Sequence, residues 1–145
     1  MLDKGVNDGV ADGQPVLGAE GLIGQVTSSG NRNSRVVLIT DSAHALPVQV
    51  NRSGLRAIAE GSGSIDRLII RHLPATTDIR VGDLLVTSGL GGRFPHGYPV
   101  ARITEVLILE GDAFATVFAE PSSLLDRGRY VLVVMWGDRQ REGAP

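Results

Sequence analysis

Short apolar runs alternate with turn-forming segments along most of the chain. Residues 47–51 alternate apolar and polar side chains, which is typical of a strand with one buried face. Residues 35–40 are rich in β-branched side chains, as a central strand usually is. No long window keeps the 3.6-residue period of a helix, and only residues 122–127 offer a helical turn. The pattern therefore predicts an all-β fold with little helix.

Turn residues divide these runs into hairpins. Residues 55–60 and 67–73 flank the sequence GSGS at 61–64, which predicts one hairpin. The apolar run 84–87, bounded by turn residues, predicts a short buried strand. The extended segments expected from the pattern are 16–17, 21–27, 35–40, 47–51, 55–60, 67–73, 84–87, 100–109, 114–119 and 130–136.

The two halves of the chain resemble each other weakly. Residues 10–16 parallel 79–85 at an offset of 69, and 21–24 parallel 89–92 at an offset of 68. Chance similarity between glycine- and valine-rich segments is the alternative. If the echo is real, each copy must close or pair its strand edges. We therefore expect two small β-barrel subdomains near residues 1–73 and 74–137, with strands that can cross over, and a flexible tail at 138–145.

The longest loop lies between the predicted strands 84–87 and 100–109. Residues 88–99 contain four glycines and two prolines. A phosphate-binding loop needs Lys-Ser or Lys-Thr after its last glycine, whereas Arg93, Phe94 and Pro95 follow here. The glycines therefore indicate backbone geometry rather than nucleotide binding. The glycines that we expect in turns or tight strand crossings are Gly13, Gly24, Gly82, Gly89 and Gly92.

Two groups of residues are candidates for contact with a partner protein. Arg93, Phe94 and Tyr98 lie on the long loop, and interfaces are enriched in arginine and aromatic side chains. The alternative for the two rings is that they fill the mouth of a barrel. Arg71 and His72 form a second candidate contact patch at the end of a predicted strand.

Charge and composition exclude several other functions. The formal net charge of −2 gives no basic footprint for nucleic acid, so no nucleic-acid partner is expected. The chain has no cysteine, which excludes disulfides and thiol catalysis. Its three histidines, His44, His72 and His96, have no acidic residue at ligand spacing. We expect no cofactor and no metal.

An enzyme is the alternative class. A two-barrel serine hydrolase would use His44, an aspartate such as Asp83 and a later serine. The glycine-rich setting of such a nucleophile is missing, and Asp41 next to Ser42 is typical of a turn. We therefore expect no catalytic residues. Labelling of Ser42, Ser88 or Ser122 by a fluorophosphonate would contradict this interpretation.

Residues 72–101 (HLPATTDIRVGDLLVTSGLGGRFPHGYPVA) closely resemble the characteristic segment of the MreC family of rod shape-determining proteins. Residues 38–50 resemble another stretch of that family, and so do 120–121 with 124–127. The resemblance covers nearly the whole chain and is far more specific than a short motif. It implies two small β-barrel subdomains.

The resemblance also implies a function. Such a protein is a non-enzymatic scaffold of the bacterial cell-elongation complex that maintains rod shape. It binds and regulates the elongation-specific class B penicillin-binding transpeptidase, binds the integral membrane partner MreD, and self-associates as a dimer or filament. The expected location is the periplasmic face of the inner membrane, reached through an N-terminal membrane anchor that this sequence lacks. A generic β-rich binding module is the remaining alternative.

Overall fold

Ten β-strands make up the regular structure of the described chain. The computed structural model describes residues 13–18, 20–29, 34–89, 94–108, 111, 113–123 and 132–133. No helix occurs within these ranges, so the predicted all-β class is confirmed. The strands are β1 (Pro15–Leu17), β2 (Leu22–Ser29), β3 (Ser34–Leu38), β4 (Ala45–Val50), β5 (Arg56–Gly61), β6 (Leu68–Pro74), β7 (Leu84–Thr87), β8 (Pro99–Leu107), β9 (Phe114–Pro121) and β10 (Leu132–Val133).

The strands form two antiparallel units. Six of them close a barrel in the order β4-β5-β6-β9-β8-β7, and the other four form a sheet in the order β10-β1-β2-β3. Closure gives every barrel strand two neighbours, so none of these strands presents an unpaired edge. The predicted hairpin of 55–60 with 67–73 is present as β5 and β6, paired at Glu60 with Ile69.

Both units take strands from each half of the chain. The barrel joins β4 and β5, which precede the predicted boundary after residue 73, and β6, which crosses it to end at Pro74, with β7–β9, which follow it. The sheet joins β1–β3 to β10 near the C-terminal end. The division at 73/74 therefore separates strands of one barrel, because β6 pairs with β9 across it. Sequence similarity between the halves does not specify this pairing. The predicted tail at 138–145 lies outside the described residues.

Alternating aliphatic side chains fill the barrel. On β4, Leu46, Val48 and Val50 are essentially inaccessible, while the residues between them are more exposed. Leu68 and Ile70 of β6 are equally buried. Residues of the four-stranded sheet, such as Val16 and Leu22, belong to the same continuous core. Burial of each such side chain stabilises the fold by about 1.5–3 kcal/mol, so sheet and barrel fold as one hydrophobic unit.

The predicted glycines occupy two kinds of position. Gly89 has a φ of +73°, a conformation that disfavours side chains, and a Cβ there would lie 3.1 Å from Cβ of His96. Gly24 lies in β2, where a Cβ would approach the carbonyl oxygen of Val37 to 2.1 Å. Gly13 and Gly82 also have positive φ, and Gly92 lies outside the described residues. Position 24 therefore requires glycine because there is no room for a Cβ beside Val37. Position 89 requires it because its backbone has a positive φ.

Arg52 ties the turn after β4 to the segment that precedes β7. Its Nε and Nη2 donate to the two carboxylate oxygens of Asp83, each at 2.9 Å, and Nη1 donates to Asp78 at 3.0 Å. Asp83 also accepts a hydrogen bond from the backbone N–H of Arg80 at 2.9 Å. Hydrogen bonds from Arg52 lower the pKa of Asp83 and of Asp78. This bidentate contact fixes the position of the polar turn before β7.

His44 joins the sheet to the barrel. Its Nε2 lies 3.2 Å from Oε1 of Gln25 on β2, and the Gln25 amide donates to the carbonyl oxygen of Gly13 at 2.9 Å. The Nδ1 atom is buried without a hydrogen-bond partner among the described residues. Burial lowers the pKa of His44 below its usual 6.5, and the charge of Asp41 opposes part of this effect. The lowered pKa favours the neutral ring in the folded chain. Because Oε1 of Gln25 can only accept, Nε2 is the ring nitrogen that carries a hydrogen in this contact.

The positive φ of Gly89 predicts a position-specific loss of stability. Gly89→Val should lower the free energy of unfolding by about 1–3 kcal/mol, because a β-branched side chain is strained at this φ. Gly82→Asn is the matched control, since Gly82 has a φ of +94° and a Cβ added there would meet no atom within 4 Å, and asparagine tolerates this conformation. Thermal melts compare the variants. A Gly89→Val melt within about 1 °C of the unmodified protein would contradict the assignment.

His44 predicts a pH-dependent stability. Because folding lowers the pKa of His44, the unfolded chain binds its proton more tightly. The stability that His44 contributes is therefore complete above pH 6.5, and it is lost as the pH falls from 6.5 through the folded-state pKa. Asp78 and Asp83 lose their contributions to stability only when the pH falls below their usual pKa of 3.8. Urea denaturation at a series of pH values should show the loss below 6.5. His44→Gln should remove this loss of stability, and His72→Gln should leave it in place. If the stability of His44→Gln depends on pH as that of the unmodified protein does, His44 is not the cause of the loss.

Candidate partner-binding surface

The two rings predicted on the long loop are part of the folded core or its edge. Phe94 is 4% exposed and belongs to the hydrophobic core. Tyr98 is half-buried against that core, and its hydroxyl donates to the carbonyl oxygen of Gly18 between β1 and β2. The backbone N–H of Tyr98 donates to Oγ1 of Thr87 at 2.8 Å. These positions agree with the alternative in which the rings pack within the fold, and contact of this loop with a partner stays a prediction. Arg93 lies outside the described residues.

Arg71 and His72 occupy an exposed irregularity in β6. The pairing of β6 with β9 shifts register between Ile70 and Leu73, so both residues point away from the core. His72 has a φ of +61°, the only positive φ of a non-glycine residue in the described ranges. Such a conformation costs on the order of 1–3 kcal/mol and persists only where the surroundings impose it. The bulge therefore presents Arg71 and His72 side by side to solvent.

Each exposed side chain of the bulge has a partner. The Nε of Arg71 lies 3.5 Å from Oε2 of Glu60 on β5. The ring of His72 packs edge-on against Phe114 of β9, with centroids 6.2 Å apart and planes at 83°. Phe114 is itself 55% exposed. The pair is preorganised, because each ring limits the rotamers of the other.

The outward side of β9 continues this aromatic surface. Small side chains of the strand face the barrel interior at Ala115, Val117 and Ala119. Phe118 alternates outward with Phe114, and the Arg67 guanidinium lies 5.0 Å from its ring centroid. Ile69 of β6 is the register neighbour of Phe118. We call Ile69, Arg71, His72, Phe114 and Phe118 the β6–β9 face.

Sequence reasoning identified only part of this face. It predicted the strand at 114–119 and singled out Arg71 and His72, but it did not select Phe114 or Phe118. A signal was present, because in the sequence FATVFA both rings fall on one side of a strand and the smaller residues on the other. A strand whose larger apolar side chains share the solvent side is unusual and indicates a contact surface.

The residues considered for hydrolysis have other partners. Both carboxylate oxygens of Asp83 accept from Arg52, while Nε2 of His44 faces Gln25. Asp83 therefore does not orient His44, and the aspartate–histidine pair of a triad is not formed. Within the described ranges no group of three or more histidine, aspartate or glutamate side chains is placed to hold a metal ion. The same ranges contain no helix long and apolar enough to cross a membrane.

The closed barrel and the four-stranded sheet define an all-β domain with an aromatic ring exposed at the start of β9. The chain belongs to the MreC family: residues 1–135 match the family profile "Rod shape-determining protein MreC, barrel core".

Named relatives agree with this assignment. The chain is 51% identical over 139 residues to the cell shape-determining protein MreC of Escherichia coli K12, covering 96% of this chain and 38% of that protein. It is 57% identical to the crystal structure of MreC from Pseudomonas aeruginosa, with a TM-score of 0.87, covering 91% of this chain and 85% of that one. The chain thus spans 38% of the length of the E. coli relative.

A more distant structure shares the fold. It is described as a complex between the penicillin-binding protein PBP2 and MreC from Helicobacter pylori. The TM-score is 0.66 at 18% identity, covering 83% of this chain and 75% of that one. At this identity the likeness shows the fold.

The burial of Phe94 and Tyr98 predicts different losses of stability. Phe94→Ala should lower the free energy of unfolding by about 3–5 kcal/mol, because it empties an aromatic site in the core. Tyr98→Phe should cost about 0.5–1.5 kcal/mol, because it removes only the hydrogen bond to Gly18. Urea denaturation measures both. A loss below about 1 kcal/mol for Phe94→Ala would show that the ring does not support the core.

Proposed function

We propose that this chain is the extracytoplasmic β domain of a non-enzymatic scaffold in the bacterial cell-elongation complex, and that it binds a penicillin-binding transpeptidase. Membership of a family of cell shape-determining proteins supports the cellular role. The complex of a same-fold MreC with a penicillin-binding protein supports the choice of partner. The alternative partners of His44 and Asp83 support a scaffold over a hydrolase.

The β6–β9 face is the proposed contact surface for the transpeptidase. The observation that carries this choice is the exposure of Phe114, which packs edge-on against His72 at a strained bulge. A large ring held in place on the surface has no role in the core, and it loses little entropy when a partner covers it. Arg71 and Arg67 flank the rings, and arginine and phenylalanine are both enriched in interfaces. The partner therefore gains both apolar burial and hydrogen bonds here.

Self-association and binding of MreD remain part of the proposal. In the described sheet, β3 has β2 as its neighbour on one side only. The backbone on the other side of Ser34–Leu38 can pair with a strand of a second copy. A same-fold structure described as coming from the cell shape-determining filament MreC supports such assembly. For MreD the support is the family membership alone.

Phe114 tests the proposed contact surface. Phe114→Ala should weaken binding to the extracytoplasmic domain of the cognate transpeptidase by about 1–2 kcal/mol or more, as truncation of an interface anchor does. Its free energy of unfolding should fall by no more than about 1 kcal/mol, because the ring is 55% exposed and its aromatic contact is the edge-on one with His72. Isothermal titration calorimetry gives the affinity, and urea denaturation gives the stability.

Ile65→Ala is the matched control for this comparison. Ile65 is similarly exposed, at 45%, but lies in the turn before β6, whereas Phe114 pairs with Pro74 at the far end of that strand. The control should bind like the unmodified protein. Equal affinity of Phe114→Ala and Ile65→Ala would remove the β6–β9 face from the interface.

A further inference from the structure

A groove of about 710 Å³ lies where the β1–β2 turn meets the barrel. Its apolar lining includes Val81, Leu84, Pro99 and Pro121. Val81 is 63% exposed, the largest exposure among the large apolar residues of the described ranges. The volume falls within the range of ligand pockets, about 300–1,000 Å³, yet the exposed Val81 leaves the groove open along one side. An open apolar groove of this kind suits a protein segment better than an enclosed small molecule.

Two carboxylates flank the apolar lining. Glu20 comes from the β1–β2 turn and Glu120 from the end of β9. Both side chains are exposed, and neither forms an ion pair with any residue in the described part of the chain. The sheet and the barrel thus each contribute to the groove one carboxylate that has no ion-pair partner in the described ranges.

Among the described residues of the lining Arg102 is the one basic side chain, and its guanidinium is held by the backbone of Gly82, which also lines the groove. Its Nη1 donates to the carbonyl oxygen of Gly82 at 2.6 Å. Glu120 is its register neighbour on β9, but the two charges do not come within ion-pair distance. The described lining therefore holds two carboxylates and one guanidinium group. A side chain that suits it is a cation with an apolar stem.

We propose that the groove receives an arginine or lysine side chain of a partner protein, with a neighbouring apolar residue packed against Val81. The aliphatic part of such a side chain covers Pro121 and Leu84 while its charged end reaches Glu20 and Glu120. This inference shares one premise with the proposed scaffold function, namely that the partner is a protein. It defines a second contact site, separate from the β6–β9 face.

A short peptide tests the groove without the transpeptidase. The probe is the blocked tetrapeptide acetyl-Gly-Leu-Arg-Gly-amide, titrated into the ¹⁵N-labelled chain in the millimolar range while amide chemical shifts are followed. Saturable shifts are expected at Val81, Gly82, Thr104 and Ser122. The citrulline analogue, which keeps the shape and loses the charge, should bind about 3- to 10-fold more weakly, as expected for loss of exposed ion pairs.

Variants of this chain assign the effect to the two carboxylates. Glu20→Gln with Glu120→Gln should reduce the affinity for the arginine peptide to that for the citrulline peptide, because both partners of the cation are then neutral. Glu105→Gln is the matched control, since it removes an exposed carboxylate of β8 that does not line the groove. Equal binding of the arginine and citrulline peptides, preferential binding of a glutamate peptide to Arg102, or no saturable shift at the groove would each overturn the proposal.

The transpeptidase domain separates this inference from the proposed function. If the unmodified chain binds that domain and the double glutamine variant loses affinity, the groove contacts the transpeptidase. If peptide binding is specific but the transpeptidase does not bind at all, the groove stands and the proposed function fails. Sedimentation velocity compares the unmodified chain with the double glutamine variant. If only the unmodified chain dimerises, the occupant of the groove is a second copy of the chain. That result also supports the groove as a binding site.

Discussion

The narrow interior of the six-stranded barrel determines where the large side chains of the chain can lie. The diameter of a barrel grows with its number of strands, and side chains already fill one of eight strands. Here the interior is occupied by aliphatic residues such as Val48, Ile70 and Val117. Two phenylalanine rings on β9 therefore lie outside, at Phe114 and Phe118. The candidate binding surface is thus a consequence of how the core is packed.

Contacts between sheet and barrel give the groove a rigid base. The Tyr98 hydroxyl reaches Gly18, and the His44 ring reaches Gln25. At Gly21 even a Cβ would lie 3.0 Å from the carbonyl oxygen of Pro99, so the β1–β2 turn rests directly on β8. The walls of the groove are held by these contacts before any partner arrives. A preformed surface loses less conformational entropy on binding than a flexible one does.

The period-two pattern was sufficient to predict the fold class and most of the strands, because side-chain alternation is a local property. Strand pairing was not predictable in the same way. The closure of β6 on β9 and the register shift after Ile70 depend on residues that are distant in sequence. The bulge at Arg71 and His72, and the edge-on contact of His72 with Phe114, follow from that pairing. The sequence was therefore sufficient to select Arg71 and His72, but only the fold shows that Phe114 lies next to them.

Strand β9 connects the two proposed contact sites. Phe114 begins the strand and Glu120 lies near its end, so six steps of about 3.3 Å place them roughly 20 Å apart. A standard interface covers about 800 Å² on each partner, which is wide enough to include both. Aromatic residues at the centre of such an interface determine affinity, whereas charges at its rim determine encounter rate and orientation. A single partner lying along β9 would therefore be anchored by the phenylalanines and oriented by the glutamates.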